Sequence, residues 1–571
     1  MVVKMESKWL KYGTMLTISI LVAVCLSVVC LNADSLPSDI LEGKWEWMYI
    51  CYTASLIGFA LLIITYPKSL KAYLPTITPW IFILYGAIEA IWGIRQVYGL
   101  TYSNHSLYAL TGSFYNPGPY SGYLAMIFPI CLYEWLKRKD GKKAIPYYIA
   151  LSVMLLILCV LPAGMSRSAW IAAAVSSAYI GYMHYRERIR NNTKRYWNKT
   201  PRKRNMTVCY GVLALVIMVL TLCGIYQMKK DSADGRLFMW KIATYAVCDR
   251  PWTGYGWNNV AAAYGQAQED YFAAGNYTET EEHVAGAPEY VFNEYLQVAM
   301  AWGVPVLCIV LLVIGSSAYS GHRRKEYGLC GALLSLAVFA FSSYPLQFPA
   351  FVSALFILVL ACGLGALPLQ KVWLRLLFTV LLLWGSYGCF CMYQQKSAAL
   401  VACRQWSKSR MFYQSGAYEQ AVESYAEVYE DMKGNARFMF EYGHALHKLH
   451  RSSESSSVLK EALQVSGDPM ILNIIGKNEQ EMKHYENAEH WFMRAVHRLP
   501  GRIYPYYLLA NLYAEPAFYQ RDKLERMVSI VLEKEPKVHS TAVKQMRQKA
   551  EKLLKGVKDK DSVIIYPEKE E

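Results

Sequence analysis

Two arginines lie beside apolar segments of this chain in contexts suited to binding an anion. Arg167 lies in the short turn Pro162–Ser168 between two apolar runs, and Arg236 lies near the start of a long hydrophilic segment. A guanidinium group makes planar, bidentate hydrogen bonds to phosphate oxygens, and an ionisable group at a membrane is costly and usually functional. Two such groups can neutralise a pyrophosphate and stabilise it as a leaving group. The simpler alternative for Arg167 is a side chain that extends to the lipid headgroups.

Two further motifs combine turn formers with polar side chains. The segment Gly112–Pro119 contains Asn116-Pro117 and Gly118-Pro119, which favour a turn and predict the start of a helix. The segment Phe292–Gln297 reads Phe-Asn-Glu-Tyr-Leu-Gln and places Asn293, Glu294 and Tyr295 before another apolar run. The order of the four motifs along the chain suggests one composite site.

The composition identifies a membrane protein. Of 571 residues, 54% are hydrophobic and 18% are charged, which is too apolar for a single soluble domain. The apolar residues form runs of the length that crosses about 30 Å of hydrocarbon. We predict an all-α membrane domain with about 11 spans, near residues 13–31, 48–66, 77–94, 120–136, 145–163, 168–183, 208–226, 297–319, 328–344, 346–366 and 373–394.

The distribution of charge predicts the orientation of these spans. The net charge is +15, but Lys and Arg concentrate in alternate loops, as in residues 184–207, which is typical of cytoplasmic loops rather than of nucleic-acid binding. We therefore expect a cytoplasmic N-terminus, with the four motifs on the outer face. An odd number of spans also places the chain after residue 394 outside.

The chain divides into three parts. We predict a membrane domain at 1–396, which includes the external loop 227–296, then a soluble helical domain at 397–554 and a charged, disordered tail at 555–571. In the soluble domain Gly443, Gly476 and Ala510 recur at intervals of 33 and 34 residues. This period resembles that of tetratricopeptide repeats, whose paired helices stack into an α-solenoid with a concave docking face. The alternative is a domain that only stabilises the membrane part.

Cysteine usage and acidic residues give no sign of a metal centre. Most of the 14 Cys residues lie in the apolar runs and none has metal-ligand spacing, so we expect neither a disulfide framework nor a structural metal. No other cofactor is indicated by the sequence.

The four motifs together resemble those of the O-antigen ligase and polymerase superfamily over roughly residues 105–365. Members of that superfamily are bacterial membrane glycosyltransferases that use glycans linked to polyprenyl pyrophosphate. The resemblance implies that Arg167 and Arg236 hold the pyrophosphate. It assigns supporting roles to Asn116, Trp240, Asn293 and Tyr295.

One departure from the family pattern concerns the general base. Many members have a His where this chain has Phe292, and a Glu where it has Ala301. A base must reach the acceptor hydroxyl, which leaves His283 and Glu294 as candidates. Alternatively, His283 is an exposed loop residue, Glu294 is a helix-terminal charge, or leaving-group stabilisation suffices without a strong base.

The resemblance implies a metal-independent glycosyltransferase of the bacterial inner membrane. It would move a glycan from undecaprenyl pyrophosphate to an acceptor hydroxyl on the outer face, where the acceptor is a glycan, a lipid or a protein. The repeat domain slightly favours a protein partner or acceptor.

Two other classes of function remain open. A transporter or flippase of lipid-linked glycans would show internal repeats or charged residues within its spans, and Glu89 is the main ionisable residue of that kind. A non-catalytic scaffold would act through the repeat domain alone.

Overall fold

The computed structural model describes residues 2–31, 37–138, 145–197, 224, 227, 230–537 and 539–564. Within these ranges the regular elements are helices and none is a strand, so the predicted all-α class is confirmed. The α-helices are α1 (Val2–Leu26), α2 (Pro37–Thr65), α3 (Pro67–Val97), α4 (Pro117–Arg138), α5 (Ile145–Val160), α6 (Arg167–Trp197), α7 (Lys230–Asp249), α8 (Val260–Ala273), α9 (Glu279–Val284), α10 (Glu294–Arg323), α11 (Tyr327–Ala340), α12 (Pro349–Gly363), α13 (Val372–Ser415), α14 (Tyr418–Glu427), α15 (Tyr429–Met432), α16 (Ala436–Lys448), α17 (Ser452–Ala462), α18 (Pro469–Glu481), α19 (Tyr485–Arg498), α20 (Ile503–Ala514), α21 (Arg521–Glu533) and α22 (Thr541–Ile564).

The chain forms two compact units that differ from the predicted linear domains. The membrane unit comprises Met1–Lys229, Phe292–Tyr295 and Leu307–Val401. The second, here called the loop–repeat unit, joins the long loop to the C-terminal helices and comprises Lys230–Val291, Leu296–Val306 and Ala402–Glu571. The last boundary falls inside α13, which continues without a break from an apolar span into the repeat domain.

Apolar helices of membrane-spanning length account for part of the predicted span count. In the described chain six helices are long and apolar enough to cross a bilayer, and α5 and α11 are shorter apolar helices. The predicted span 208–226 lies almost wholly outside the described residues, and the count of 11 stays a prediction. The six candidates are Trp9–Cys30, Leu41–Thr65, Pro67–Val97, Glu294–Arg323, Pro349–Ala366 and Val372–Ser415.

Helix α4 lies at the centre of the membrane unit. It packs against α3, α5, α6 and α11, and most of its residues are buried within the protein. A helix enclosed by other helices tolerates Tyr, Gly and Pro, all of which occur in α4. Its Tyr123 contacts Phe114 and Phe351 at ring-centroid distances of 5.7 and 5.6 Å. This aromatic core fixes the start of α4 and the motif that precedes it.

The C-terminal part of the loop–repeat unit consists of paired helices. Helices α16 and α17, α18 and α19, and α20 and α21 pack against each other. The recurring small residues lie where the partners meet, since Gly443 faces Leu459 and Gly476 faces Phe492. The tetratricopeptide assignment stays a prediction. Helix α22 extends to Ile564, into the predicted tail, and residues 565–571 lie outside the described residues.

We expect Gly476→Ala to destabilise the repeat helices. A Cβ atom at this position would lie 2.4 Å from the Phe492 ring, and overpacking of this kind costs about 1–3 kcal/mol. Thermal unfolding of the full-length protein in detergent would measure the loss. Gly434→Ala is the matched control, because a Cβ atom there meets nothing within 4 Å. Equal melting temperatures for the two variants would contradict this packing.

Candidate functional site

The motif Gly112–Pro119 is held by buried polar side chains of α2 and α3. The Ser113 N–H donates to Glu89 Oε2 at 3.2 Å, and the Ser113 carbonyl accepts from Lys44 Nζ at 2.5 Å. Gln96 Oε1 accepts a backbone N–H at the start of the motif at 2.7 Å. Glu89, the ionisable residue that the sequence singled out within a span, therefore supports the backbone of this motif.

Asn116 starts α4. Its Oδ1 accepts a hydrogen bond from the Gly118 N–H at 3.0 Å, which closes an Asx turn. Helix α4 begins at the next residue, Pro117, so the predicted helix start is confirmed. These contacts give Asn116 a structural role at the beginning of the helix.

Arg167 is the first residue of α6. The turn before it is held by the Trp170 Nε1–H, which donates to the Leu161 carbonyl at 3.0 Å. Next to it, Ser168 Oγ accepts from Ser342 Oγ at 2.8 Å, which ties the start of α6 to the end of α11. A helix N-terminus carries a partial positive charge that favours anions. Arg167 adds its own positive charge at this end of the helix.

Arg236 and Trp240 lie one turn apart on α7, and both are half-buried. Phe238 and Ile242 are buried, so α7 presents an apolar face to its own unit. The helix predicted over Leu237–Val247 is confirmed within α7, although Leu237 and Tyr245 of this segment are exposed. The spacing of four residues places the guanidinium and the indole on one face of the helix.

Helix α10 is interrupted near Gly303. Backbone groups at this interruption form hydrogen bonds with the segment Pro251–Gly256, here called the strap. Gly303 adopts φ 84° inside the helix, and Pro305 has no N–H to donate to the Ala301 carbonyl. The Gly256 N–H donates to that carbonyl instead, at 2.8 Å. Two more backbone bonds of 2.8 Å join the same segments, from the Tyr255 N–H to the Met300 carbonyl and from the Val304 N–H to the Pro251 carbonyl.

The last motif starts α10 with buried polar contacts. Asn293 Oδ1 caps the helix by accepting the Tyr295 N–H at 3.0 Å, and the Tyr295 hydroxyl donates to the Ala337 carbonyl at 2.8 Å. Glu294 is 3% exposed, and its Oε1 accepts the Leu346 N–H at 2.7 Å. Its Oε2 is buried without a hydrogen-bond partner among the described residues. Glu294 is thus enclosed rather than presented to solvent.

His283 occupies the short helix α9 and is exposed. A capping box between Thr278 and Glu281 starts this helix. Lys241 of α7 bonds Glu281 at 2.6 Å and the Tyr271 hydroxyl at 2.7 Å. Burial opposes the charge of Glu281, but the hydrogen bonds from Lys241, from the Thr278 backbone and from Tyr271 outweigh it and lower its pKa to about 2. The helix that carries His283 is therefore fixed to α7 and α8.

A buried ion network joins the long loop to the repeat helices. Glu269 of α8 accepts from Arg494 Nε at 2.6 Å and from Arg498 Nη2 at 2.5 Å, both on α19. The side chains of Glu269 and Arg498 are 8% and 3% exposed. At the same interface a Cβ on Gly265 would lie 2.7 Å from the Gly467 Cα, so two glycines allow the backbones to touch. The loop and the C-terminal helices therefore fold together as parts of one compact unit.

The predicted site residues are divided between the two units. Arg236, Trp240 and His283 belong to the loop–repeat unit. The membrane unit contains the other five, which are Asn116, Arg167, Asn293, Glu294 and Tyr295. The sequence reasoning missed the ion network. The only signal was the pair Arg494 and Arg498, spaced four residues apart on an otherwise amphipathic helix.

We expect Glu269→Ala to release α8 from α19. Removing one partner of a buried ion pair leaves the other charges uncompensated and costs about 3–5 kcal/mol. Hydrogen–deuterium exchange should show faster exchange in residues 260–273 and 485–498. Glu486→Ala, an exposed carboxylate on the same helix α19, serves as the control. Unchanged protection in the Glu269 variant would show that the network does not hold the interface.

The comparisons with known proteins give one family. Residues 150–311 match the sequence model of the O-antigen ligase family. The matched range contains Arg167, Arg236, His283 and Glu294, and it ends before the repeat helices. No curated protein matches the chain. The match and the apolar helices together point to a multi-pass bacterial membrane protein and support the O-antigen ligase superfamily.

Proposed function

We propose that this protein is a membrane glycosyltransferase that moves a glycan from undecaprenyl pyrophosphate to an acceptor hydroxyl on the outer face of the bacterial inner membrane. The observation that carries the proposal is the match of residues 150–311 to the O-antigen ligase family, because this range includes both candidate pyrophosphate-binding arginines. The motif order, the apolar helices and the charge distribution are consistent with it.

In this proposal Arg167 and Arg236 bind the pyrophosphate of the donor. Arg167 contributes its charge together with the N-terminus of α6, where an anion is favoured. Arg236 shares a helix face with Trp240, which offers an indole surface beside the guanidinium. Neither arginine needs to transfer a proton, since both act by stabilising negative charge that develops on the leaving group.

The reaction forms one bond and breaks another. The acceptor oxygen attacks the anomeric carbon of the glycan, and the bond from that carbon to the pyrophosphate oxygen breaks. Undecaprenyl pyrophosphate leaves with the bonding electron pair, and the acceptor hydroxyl loses its proton to a base. A single displacement of this kind inverts the anomeric carbon. The residues in these roles require no metal ion.

Accessibility favours His283 over Glu294 as that base. A base must come within hydrogen-bond reach of the acceptor hydroxyl, and His283 is exposed. Glu294 is enclosed, with one oxygen bonded to the Leu346 backbone. We therefore assign proton removal to His283 and positioning of α10 to Glu294. Asn116, Asn293 and Tyr295 would act in support, by holding the starts of α4 and α10.

The repeat domain is proposed to present the acceptor or a partner protein. Its connection to the long loop through Glu269 supports this role, because a docking surface is useful only on the side where transfer occurs. The acceptor class, whether glycan, lipid or protein, is read from the product of the reaction.

We expect Arg236→Ala to abolish transfer while the protein still inserts and folds. Loss of one group that stabilises a developing anion costs roughly 10²–10³ in rate. The measurement is transfer from undecaprenyl-pyrophosphate-linked glycan by purified protein in nanodiscs. Arg250→Ala is the matched control in the same loop, since Arg250 is exposed and lies over the Tyr255 ring at 4.7 Å. Wild-type rates in the Arg236 variant would remove this residue from the mechanism.

A second pair of variants tests Arg167 on one helix. Arg167→Ala should reduce transfer by a similar factor, whereas Arg186→Ala, an exposed cation further along α6, should leave the rate unchanged. Equal losses in both variants would point to a general effect of charge rather than to a binding role for Arg167.

Substitution and chemical rescue identify the base. His283→Gln should lower the maximal rate by roughly 10²–10⁴, and added imidazole should restore part of the activity. Glu289→Gln, an exposed neighbouring carboxylate, is the control. If His283→Gln keeps the wild-type rate, the assignment of the base is wrong.

A further inference from the structure

The loop–repeat unit contains a cavity of about 570 Å³ beside His283. Small-molecule sites in proteins usually measure about 300–1,000 Å³, so the cavity has room for part of a glycan. It lies between α9, the turn from α19 to α20, and the segment after α21. The charged residues that line it include Glu279, Glu282, His283, Arg502, Lys534 and Lys537.

Some of these lining charges are already balanced. Lys534 forms an ion pair with Glu282, and its ammonium also lies 5.4 Å from the centre of the Tyr506 ring. Lys534 and Glu282 therefore balance each other within the unit. Glu535, a further lining carboxylate, is exposed and lies 3.5 Å from the His539 imidazole.

Arg502 and Lys537 differ from Lys534 because neither of them has an acidic partner among the described residues. Among the described residues no hydrogen bond or ion pair engages the exposed Arg502 guanidinium. Lys537 Nζ donates to the Ala285 carbonyl at 3.2 Å, a neutral partner. Burial lowers the pKa of Lys537, and the nearby charge of Arg502 lowers it further. Two cations thus repel each other in one cavity, and of the lining carboxylates in the described chain Glu282 is the one that pairs with a Lys or Arg.

We propose that Arg502 and Lys537 bind the oxyanion of an acidic sugar, a carboxylate or a phosphate, within the acceptor glycan. Arg supplies a planar pair of donors to such a group, and Lys adds a point charge. An anion here would relieve the repulsion between the two cations, and it would place the neighbouring sugar next to His283. The identity of the ligand as acceptor rests on the proposed function, but the binding event itself requires no turnover.

Calorimetric titration of the full-length protein in nanodiscs tests this site with three probes: D-glucuronate, inorganic phosphate and D-glucose. We expect saturable binding of glucuronate or phosphate and none of glucose. Tighter binding of glucuronate would indicate a sugar that carries a carboxylate, and tighter binding of phosphate would indicate a phosphorylated sugar. Absence of binding by both anions would overturn the proposal.

Variants assign the binding to the cavity. Arg502→Gln and Lys537→Gln should each weaken anion binding by roughly tenfold, and Lys483→Gln, which removes an exposed charge elsewhere in the repeat domain, should not. Anion binding that is unchanged in both cavity variants would also overturn the proposal, since Arg167 and Arg236 could then account for it. Melting curves check folding, and either cavity variant suffices if the other fails to fold.

The two proposals fail in distinguishable ways. Anion binding that depends on Arg502 and Lys537, without glycan transfer under any condition, supports the cavity site and contradicts the proposed function. Transfer without such binding contradicts the cavity site alone.

Discussion

The buried contact of Glu269 with Arg494 and Arg498 is the interaction on which the arrangement of the loop–repeat unit depends. Glu269 and Arg498 are withdrawn from water there and Arg494 is half-buried, which is favourable only while the buried charges are paired. The long loop is therefore not a free connector but, from Lys230 onward, part of a folded unit with the C-terminal helices. Its candidate residues, Arg236 and His283, belong to that same unit.

The chain between the long loop and the C-terminal helices is apolar. Of the helices α10 to α13, three are long and apolar enough to cross a bilayer, and α11 is a shorter apolar helix. Helix α10 is interrupted at Gly303 and Pro305, and there the strap Pro251–Gly256 supplies backbone hydrogen bonds to the helix.

Local sequence patterns predicted the elements but not their long-range partners. Apolar runs located α1 to α3, α10, α12 and α13, since hydrophobic length is a local property. The amphipathic pattern located α7, and the recurring Gly443 and Gly476 located the helix pairs.

The contacts that the sequence did not predict join residues far apart in the chain. Glu269 and Arg494 are separated by 225 positions, and no periodicity connects them. Likewise, Glu294 reads as a helix-terminal charge or a base, and only its bond to Leu346 and its burial indicate a positioning role. The cavity residues Arg502 and Lys537 carried no motif at all. Their significance comes from the balance of charge around them.

The most direct measurement of the central claim uses wild-type protein in nanodiscs with undecaprenyl-pyrophosphate-linked glycan and candidate acceptors, with both products followed by mass spectrometry. The account predicts equal amounts of released undecaprenyl pyrophosphate and glycosylated acceptor, where a ladder of products indicates a polymerase and a single addition indicates a ligase or a protein glycosyltransferase. Folded protein that binds the lipid-linked glycan but leaves it intact with every acceptor would contradict the account and favour transport or scaffolding.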